Sequence, residues 1–161
     1  MSIEVTPRGT RGFEPPKLPR PLMSALSGLF HLVFRKFGER MRVQGRPLLE
    51  LETVGARTGL KRLTILGWFP DRTADSWLVV ASNAGSSRHP SWFLNLARNP
   101  DQARVLVGKR SFRVSAETLK DGEREQAWKQ VVSLAPGYGG YEQKTDRVIP
   151  IVRLRREAEE G

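Results

Sequence analysis

The spacing of apolar residues changes along the chain, and each change marks an element. Leu22, Leu26, Leu29, Val33 and Phe37 fall three and four apart, with Met23, Phe30 and Phe34 beside them. That is the spacing of a wide apolar stripe on a helix. Pro21 suits the first helical turn and Gly38 the stop, so an amphipathic helix is expected over 22–40. Beyond it the apolar period falls to two. Strands are expected over 48–54 and 60–69, joined by a turn at 55–59. A third strand runs over 77–82, with a continuous apolar centre at 78–81. A hairpin follows, 103–107 and 111–116 about Gly108-Lys109, and 148–154 closes the series. Two helices interrupt the strands. One covers 90–97 and ends at Asn99-Pro100. The other covers 121–134, with Trp128, Val131 and Val132 on its inner face.

Short strands linked mostly by hairpins, with helices at one end and in one insertion, predict a mainly β, α+β fold. The expected form is a small closed or half-closed barrel of about six to seven strands with an N-terminal and peripheral helices, since closure removes the unpaired edges. The barrel domain is expected over 41–155. Residues 1–21 hold Pro7, Pro15, Pro16, Pro19 and Pro21 with Gly9 and Gly12, and read as a disordered basic tail. The charged end, 156–161, is expected to fray.

Charge changes the picture more than composition does. The chain of 161 residues carries a formal net charge of +10 and has no cysteine. A thiolate metal site, a disulfide and a cysteine nucleophile are excluded. His31 and His89 alone make no metal site, and no metal is expected. No phosphate-loop or dinucleotide fingerprint occurs. The basic balance calls for an anionic partner. Nucleic acid is not the expected one, because the cations are not interleaved with aromatics and no recognition motif occurs. His31, Arg35 and Lys36 interrupt the most apolar stretch, so it does not span a bilayer. A cytoplasmic location is expected. The cations that flank this helix, from Arg20 to Arg42, allow peripheral contact of 20–42 with the inner face of the membrane. A helix packed on the barrel is the favoured reading, and membrane contact the side one.

Three segments carry candidate chemistry. The first, 55–62, sets Arg57, Thr58, Lys61 and Arg62 around a turn with glycines at 55 and 59. Such a turn presents backbone N–H groups and guanidinium forks to phosphate; a solvated hairpin turn is the alternative. The second, 81–90, leaves a buried strand with small side chains, and Ser82 and Asn83 can bond to ring heteroatoms. Ser91, Trp92, Phe93, Leu94 and Asn95 follow, as core or as a pocket wall. The third, 136–141, places Tyr138 and Tyr141 on a glycine-rich segment suited to a mobile lid, or to a loop packed on the surface.

Taken in order, Thr53-Val54-Gly55-Ala56-Arg57-Thr58-Gly59, Val80-Ala81-Ser82-Asn83-Ala84-Gly85, His89-Pro90-Ser91-Trp92-Phe93-Leu94-Asn95-Leu96 and Pro136-Gly137-Tyr138 with Thr145-Asp146-Arg147-Val148-Ile149-Pro150 resemble the deazaflavin-dependent nitroreductase family. The resemblance covers about 47–154. It implies a split β-barrel and coenzyme F-420, with FMN as the less favoured cofactor. It also implies hydride transfer from reduced deazaflavin to a quinone-like, nitro or other electrophilic organic acceptor. An FMN-dependent reductase or a non-catalytic F-420 carrier on the same fold are the alternatives, as monomer or homodimer. Under this resemblance Arg57, Thr58, Arg62, Leu63, Thr64, Ile65 and Leu66 hold the cofactor's phosphate and ring edge. Val80, Ala81, Ser82, Asn83 and 91–95 wall the ring. Tyr138 and Tyr141 stand on the substrate side, Tyr138 also against the cofactor, and Ser82 is the candidate proton relay. The chain departs from the pattern at Ala56, where relatives commonly carry a cation, at Asn83-Ala84-Gly85 for Lys-Gly-Gly, and at Ala135 for tyrosine. Lys61 and Arg88 are expected to compensate for the missing charge.

Overall fold

The computed structural model describes residues 2–14 and 16–158. Its elements are α1 (Arg20–Phe37), a 3-10 turn at Gly38–Arg40, β1 (Arg42–Val43), β2 (Arg46–Val54), β3 (Lys61–Gly67), β4 (Phe69–Pro70), β5 (Ser76–Val80), α2 (Ser91–Arg98), β6 (Ala103–Val107), β7 (Arg110–Thr118), α3 (Asp121–Leu134), α4 (Gly137–Lys144) and β8 (Ile151–Arg156). All strand pairs are antiparallel. The sheet runs β3-β2-β6-β7-β8-β5-β4, with β1 beside the start of β2. Its two outer strands, β3 and β4, are consecutive in the chain with only Trp68 between them. The sheet must therefore curl until its ends meet, which makes the half-closed barrel that the strand pattern predicts.

Alternation explains both cores. Leu49 and Leu51 of β2, Val79 of β5, Val105 of β6, Val114 of β7 and Leu154 of β8 point inward with Trp92, Phe93 and Leu96 of α2. On the opposite face Leu78, Val80 and Ile151 meet Ala127, Trp128 and Val131 of α3. The continuous apolar centre of β5 thus reflects burial on both faces.

Three sequence expectations need correction. Residues 2–14 have no regular structure, yet they are fastened. The Gly9 N–H donates to Ser87 O at 2.9 Å and the Phe13 N–H to Gly85 O at 2.9 Å. Gly9 and Gly12 permit this close approach: a Cβ on Gly12 would lie 2.3 Å from Ser87 N. The glycines that suggested a loose tail are there to let two backbones touch. Met1 and Pro15 lie outside the described residues.

The second correction concerns 136–141, which is not a loop but the first part of α4. Tyr138 packs edge-on against Phe69 and Tyr141 against Tyr138, at 5.5 and 5.4 Å between ring centres. The Trp128 Nε1–H donates to Glu142 at 2.8 Å. These tertiary contacts outweigh the poor helix propensity of three glycines.

The third concerns α1. Only Phe34 on it is buried, while Leu29 and Leu32 are 60% and 65% exposed. The favoured reading, a helix packed on the barrel, is realised only at Phe34 and at a polar contact. There Glu50, buried in β2, meets His31 Nδ1 at 2.7 Å and Arg35 at 3.5 Å. Gly38 is right-handed rather than a left-handed stop, and a Cβ there would strike the Phe34 ring at 2.7 Å. At the other end, Arg156 belongs to β8 and the Glu157 N–H donates to Arg113 O, while 159–161 lie outside the described residues.

Candidate functional site

A cleft of about 1010 Å³ opens between the β2–β3 turn, the start of α2 and the N-terminal segment. The turn closes through two backbone bonds, Gly55 N–H to Leu60 O at 2.8 Å and Gly59 N–H to Gly55 O at 2.9 Å. Gly59 sits at φ +68, a conformation that disfavours any side chain. Asn95 of α2 then ties the turn to the barrel. Its Oδ1 accepts the Ala56 N–H at 3.0 Å, and its Nδ2 donates to Thr53 Oγ1 at 3.1 Å. Asn95 is 8% exposed, so both bonds are sheltered from water.

The lining is one-signed. Arg57 and Arg62 come from the turn and β3, Arg88 from the loop before α2, and Arg8 from the N-terminal segment. None of the four side chains has a hydrogen-bond or ion-pair partner among the described residues, and no carboxylate lines the cleft. Thr58, Thr64 and Ser91 add hydroxyls, and Trp92 and Leu94 add apolar wall. Such a set suits a ligand with a flat apolar part and an anionic tail.

Arg147 builds the floor behind this cleft. It is 3% exposed and has no carboxylate partner. Its guanidinium donates to Ser82 O at 2.8 Å, Ala81 O at 3.0 Å and Ser86 O at 3.1 Å, and to His89 Nδ1 at 3.1 Å. Burial lowers its pKa. His89 Nε2 then meets Thr6 O at 2.7 Å. With Nδ1 accepting from Arg147, the ring is the neutral Nε2–H tautomer. Burial pushes the His89 pKa down; the Thr6 bond opposes that and the Arg147 charge adds to it. One chain of bonds thus links the loop after β5, Arg147 in the segment before β8, and the N-terminal segment.

Arg57, Thr58, Arg62, Leu63, Thr64, Ser91, Trp92, Leu94 and Asn95 of the sequence set meet in the cleft. The others lie elsewhere. Phe93 is core, beside His89 at 4.9 Å. Val80 and Ala81 are core. Ser82 is buried at the Arg147 floor, and Asn83 donates to Arg88 O at 3.0 Å. Ile65 and Leu66 continue β3 away from the cleft. Tyr138 and Tyr141 stand near the far end of β3, where a Cβ on Gly67 would lie 3.9 Å from Tyr138 Oη. The Tyr141 hydroxyl accepts from Gln44 Nε2 at 2.7 Å, while the Tyr138 hydroxyl has no partner among the described residues. Burial and the neighbouring Tyr141 push the Tyr138 pKa up, against an opposing pull from Arg46. Sequence reasoning missed Arg8, His89 and the floor role of Arg147. The Thr145–Pro150 signature contained Arg147, but nothing in the pattern marks it as buried.

A cleft that presents four guanidinium groups without partners among the described residues, Arg57 from the turn after β2 and Arg62 from β3 beside it, limits the choice of family. The family model for F420H(2)-dependent quinone reductase matches residues 31–156. The chain belongs to this family. The F420H(2)-dependent quinone reductase Rv1261c of Mycobacterium tuberculosis is 38% identical over 120 residues, covering 71% of this chain and 78% of that protein. Among solved structures, an F420-H2 dependent reductase (FDR-A) is 35% identical with a TM-score of 0.60, covering 68% of this chain and 95% of that one. A second, described as a domain-swapped dimer, is 30% identical with a TM-score of 0.62 and covers 84% of this chain and 99% of that one. The split-barrel expectation holds. So does the class: an oxidoreductase that works with coenzyme F-420 on a quinone-type acceptor. The FMN-dependent and carrier alternatives gain no support from these relatives.

Proposed function

We propose that this F-420-dependent quinone reductase holds its coenzyme's anionic tail among Arg57, Arg62 and Arg88, and presents the acceptor at Tyr138. The carrying observation is a set of guanidinium groups that have no partner, in a cleft that no carboxylate lines, among the described residues. The residues fit such a coenzyme: the cations meet phosphate and carboxylate, Trp92 and Leu94 meet the ring system, and Asn95 keeps the turn in place. Bound reduced coenzyme supplies a hydride, and with one proton this converts a quinone to the hydroquinone.

The chain's own work is positional. β3 runs from the cations toward Tyr138, and its three steps from Thr64 to Gly67 span roughly 10 Å, a length suited to a flat tricyclic ring. Tyr138 keeps its proton at neutral pH as any phenol does, and burial pushes its pKa up further. Its free hydroxyl can therefore donate to a quinone oxygen as charge develops there. Ser82, sheltered at the floor, is the second candidate for a hydrogen bond near the ring. Fluorescence titration with F-420, followed by oxidation of reduced F-420 with menadione, tests the reading. Micromolar binding and steady turnover are expected; absence of binding would sink it.

The exposed face of α1 favours a second element of this reading. α1 carries no acidic residue, and Arg20, Arg35 and Lys36 on it are followed by Arg40 and Arg42. No helix among the described residues is long and apolar enough to cross a membrane. An apolar face with flanking cations suits an anionic lipid surface, where each cation contributes about 1 kcal/mol. Lipid-soluble quinones are found in the same place. Sedimentation with vesicles containing phosphatidylglycerol should pull the protein down, and Leu29→Asp with Leu32→Asp should release it. A soluble dimer that buries the α1 face, detected by light scattering, would overturn the lipid assignment.

A further inference from the structure

We propose that residues 2–14 form a strap that is the third wall of the cofactor cleft, and that Arg8 on this strap binds the anionic tail of the coenzyme. The inference rests on the F-420 reading above. It concerns a segment that lies outside the family match, which begins at residue 31.

Val5, Thr6 and Arg8 line the same cleft as Arg57 and Arg62. The strap is held on both sides of Arg8. Before it, Thr6 O takes the His89 bond at 2.7 Å. After it, Asp146 accepts the Thr10 hydroxyl and the N–H groups of Thr10 and Arg11, the latter two at 2.8 and 3.1 Å. Thr145 Oγ1 donates to Arg11 O at 2.8 Å. The Gly9 and Phe13 N–H groups bond to the loop beneath. Thus the backbone at Arg8 is fixed from both sides while its side chain has no partner among the described residues. A free cation on a pinned backbone, facing other free cations across a cleft, repels them until an anion lies between.

The shared ligand chemistry is phosphate or carboxylate, and the probes separate them. Titrate wild type, Arg8→Ala, Arg8→Lys and Gly12→Ala with three compounds: F-420, F-420 stripped of its glutamate tail, and the phosphate-free deazaflavin riboside. Arg8→Ala should weaken F-420 binding about fivefold, as for an exposed ion pair, and leave riboside binding unchanged. Arg8→Lys should recover part of the loss. Gly12→Ala, whose Cβ meets backbone at 2.3 Å, should displace the strap and reproduce the Arg8→Ala selectivity. A loss that persists without the glutamates assigns the phosphate, and one that vanishes assigns the glutamates. Riboside binding serves as the control for folding. Unchanged F-420 binding by Arg8→Ala, or an equal loss for the riboside, would overturn the strap's role. Failure of wild type to bind F-420 would instead overturn the reading beneath it.

Discussion

Replacing Arg147 by Met should cost about 3 kcal/mol of stability, and the number follows from the contacts. The guanidinium feeds three buried carbonyls, Ala81, Ser82 and Ser86, and the His89 ring. Each buried acceptor left unpaired costs about 1–3 kcal/mol. Against that stands the penalty for burying a cation with no carboxylate partner, which Met removes. Ser82 O keeps its bond from the Gly85 N–H, so the acceptors left unpaired are the Ala81 and Ser86 carbonyls and His89 Nδ1. The lower cost for these three, counting the rest as roughly cancelling, gives about 3 kcal/mol. For a chain of this size that corresponds to a fall of about 6–12 °C in Tm. Arg147→Lys should recover little, because one ammonium cannot reach acceptors arranged around a planar fork. Urea unfolding followed by tryptophan fluorescence measures both variants. A second readout separates this account from a general packing loss. The Arg147 charge helps to hold the His89 pKa down, so the His89 proton resonances should titrate at higher pH in Arg147→Met. A stability loss below about 1 kcal/mol, or an unmoved His89 titration, would refute the reasoning.

Asn95→Ala breaks the bonds to Ala56 N and Thr53 Oγ1; it should cost about 2 kcal/mol and weaken F-420 binding, read by urea unfolding and fluorescence titration. Tyr138→Phe removes a hydroxyl with no partner among the described residues, so stability should stay within about 0.5 kcal/mol while kcat with a quinone falls by roughly a hundredfold. Acid should loosen the strap in two windows. The His89 pKa lies below its ordinary 6.5, so its contribution is full above pH 6.5 and falls as pH drops through the lowered pKa; His89→Gln should flatten the stability profile there, measured by urea midpoints. The Asp146 carboxyl is held down from 3.8 to about 2, first by the Thr10 hydroxyl and then by the Arg11 N–H. Its contribution is full above pH 3.8 and is lost as pH falls through about 2, an effect that Asp146→Asn should abolish.

The barrel was legible because its strands follow the rule of two wherever one face is buried, and its turns carry glycine where φ is positive, at Gly59 and Gly108. The α3 boundaries, Asp121–Leu134, coincide with the sequence expectation because Pro136 and the apolar spacing agree. What escaped was decided by contacts distant in sequence. Propensity alone makes 136–141 a loop; Phe69 and Glu142 make it a helix. Proline and glycine content alone makes 2–14 a loose tail; Asp146, His89 and the Gly85–Ser87 backbone make it a strap. At the site, residues adjacent to the cations in sequence were found. Those that serve it through buried hydrogen bonds, such as Arg147, carry no local signal.

The fate of each arginine separates structure from function in this chain. Arg147 and Arg153 are buried, at 3% and 7% exposure, and both are fully engaged, the first by carbonyls and the second by Asp71, Glu117 and Glu123. Desolvation demands this, since a buried cation without partners would cost several kcal/mol. Arg8, Arg57, Arg62 and Arg88 obey no such demand because water reaches them. The chain could place a carboxylate beside each of them, as it does at Lys61 with Glu52 and at Lys120 with Glu4. Among the described residues it places none around the cleft. The four cations come from three stretches of sequence, and their backbones are anchored by separate contacts, by Asn95, by β3 pairing, by Asn83 and by Asp146. Fixing like charges around one cleft raises the energy of the ligand-free protein. That cost is recovered only when an anion enters, so the cleft is organised for its ligand and not for the stability of the fold.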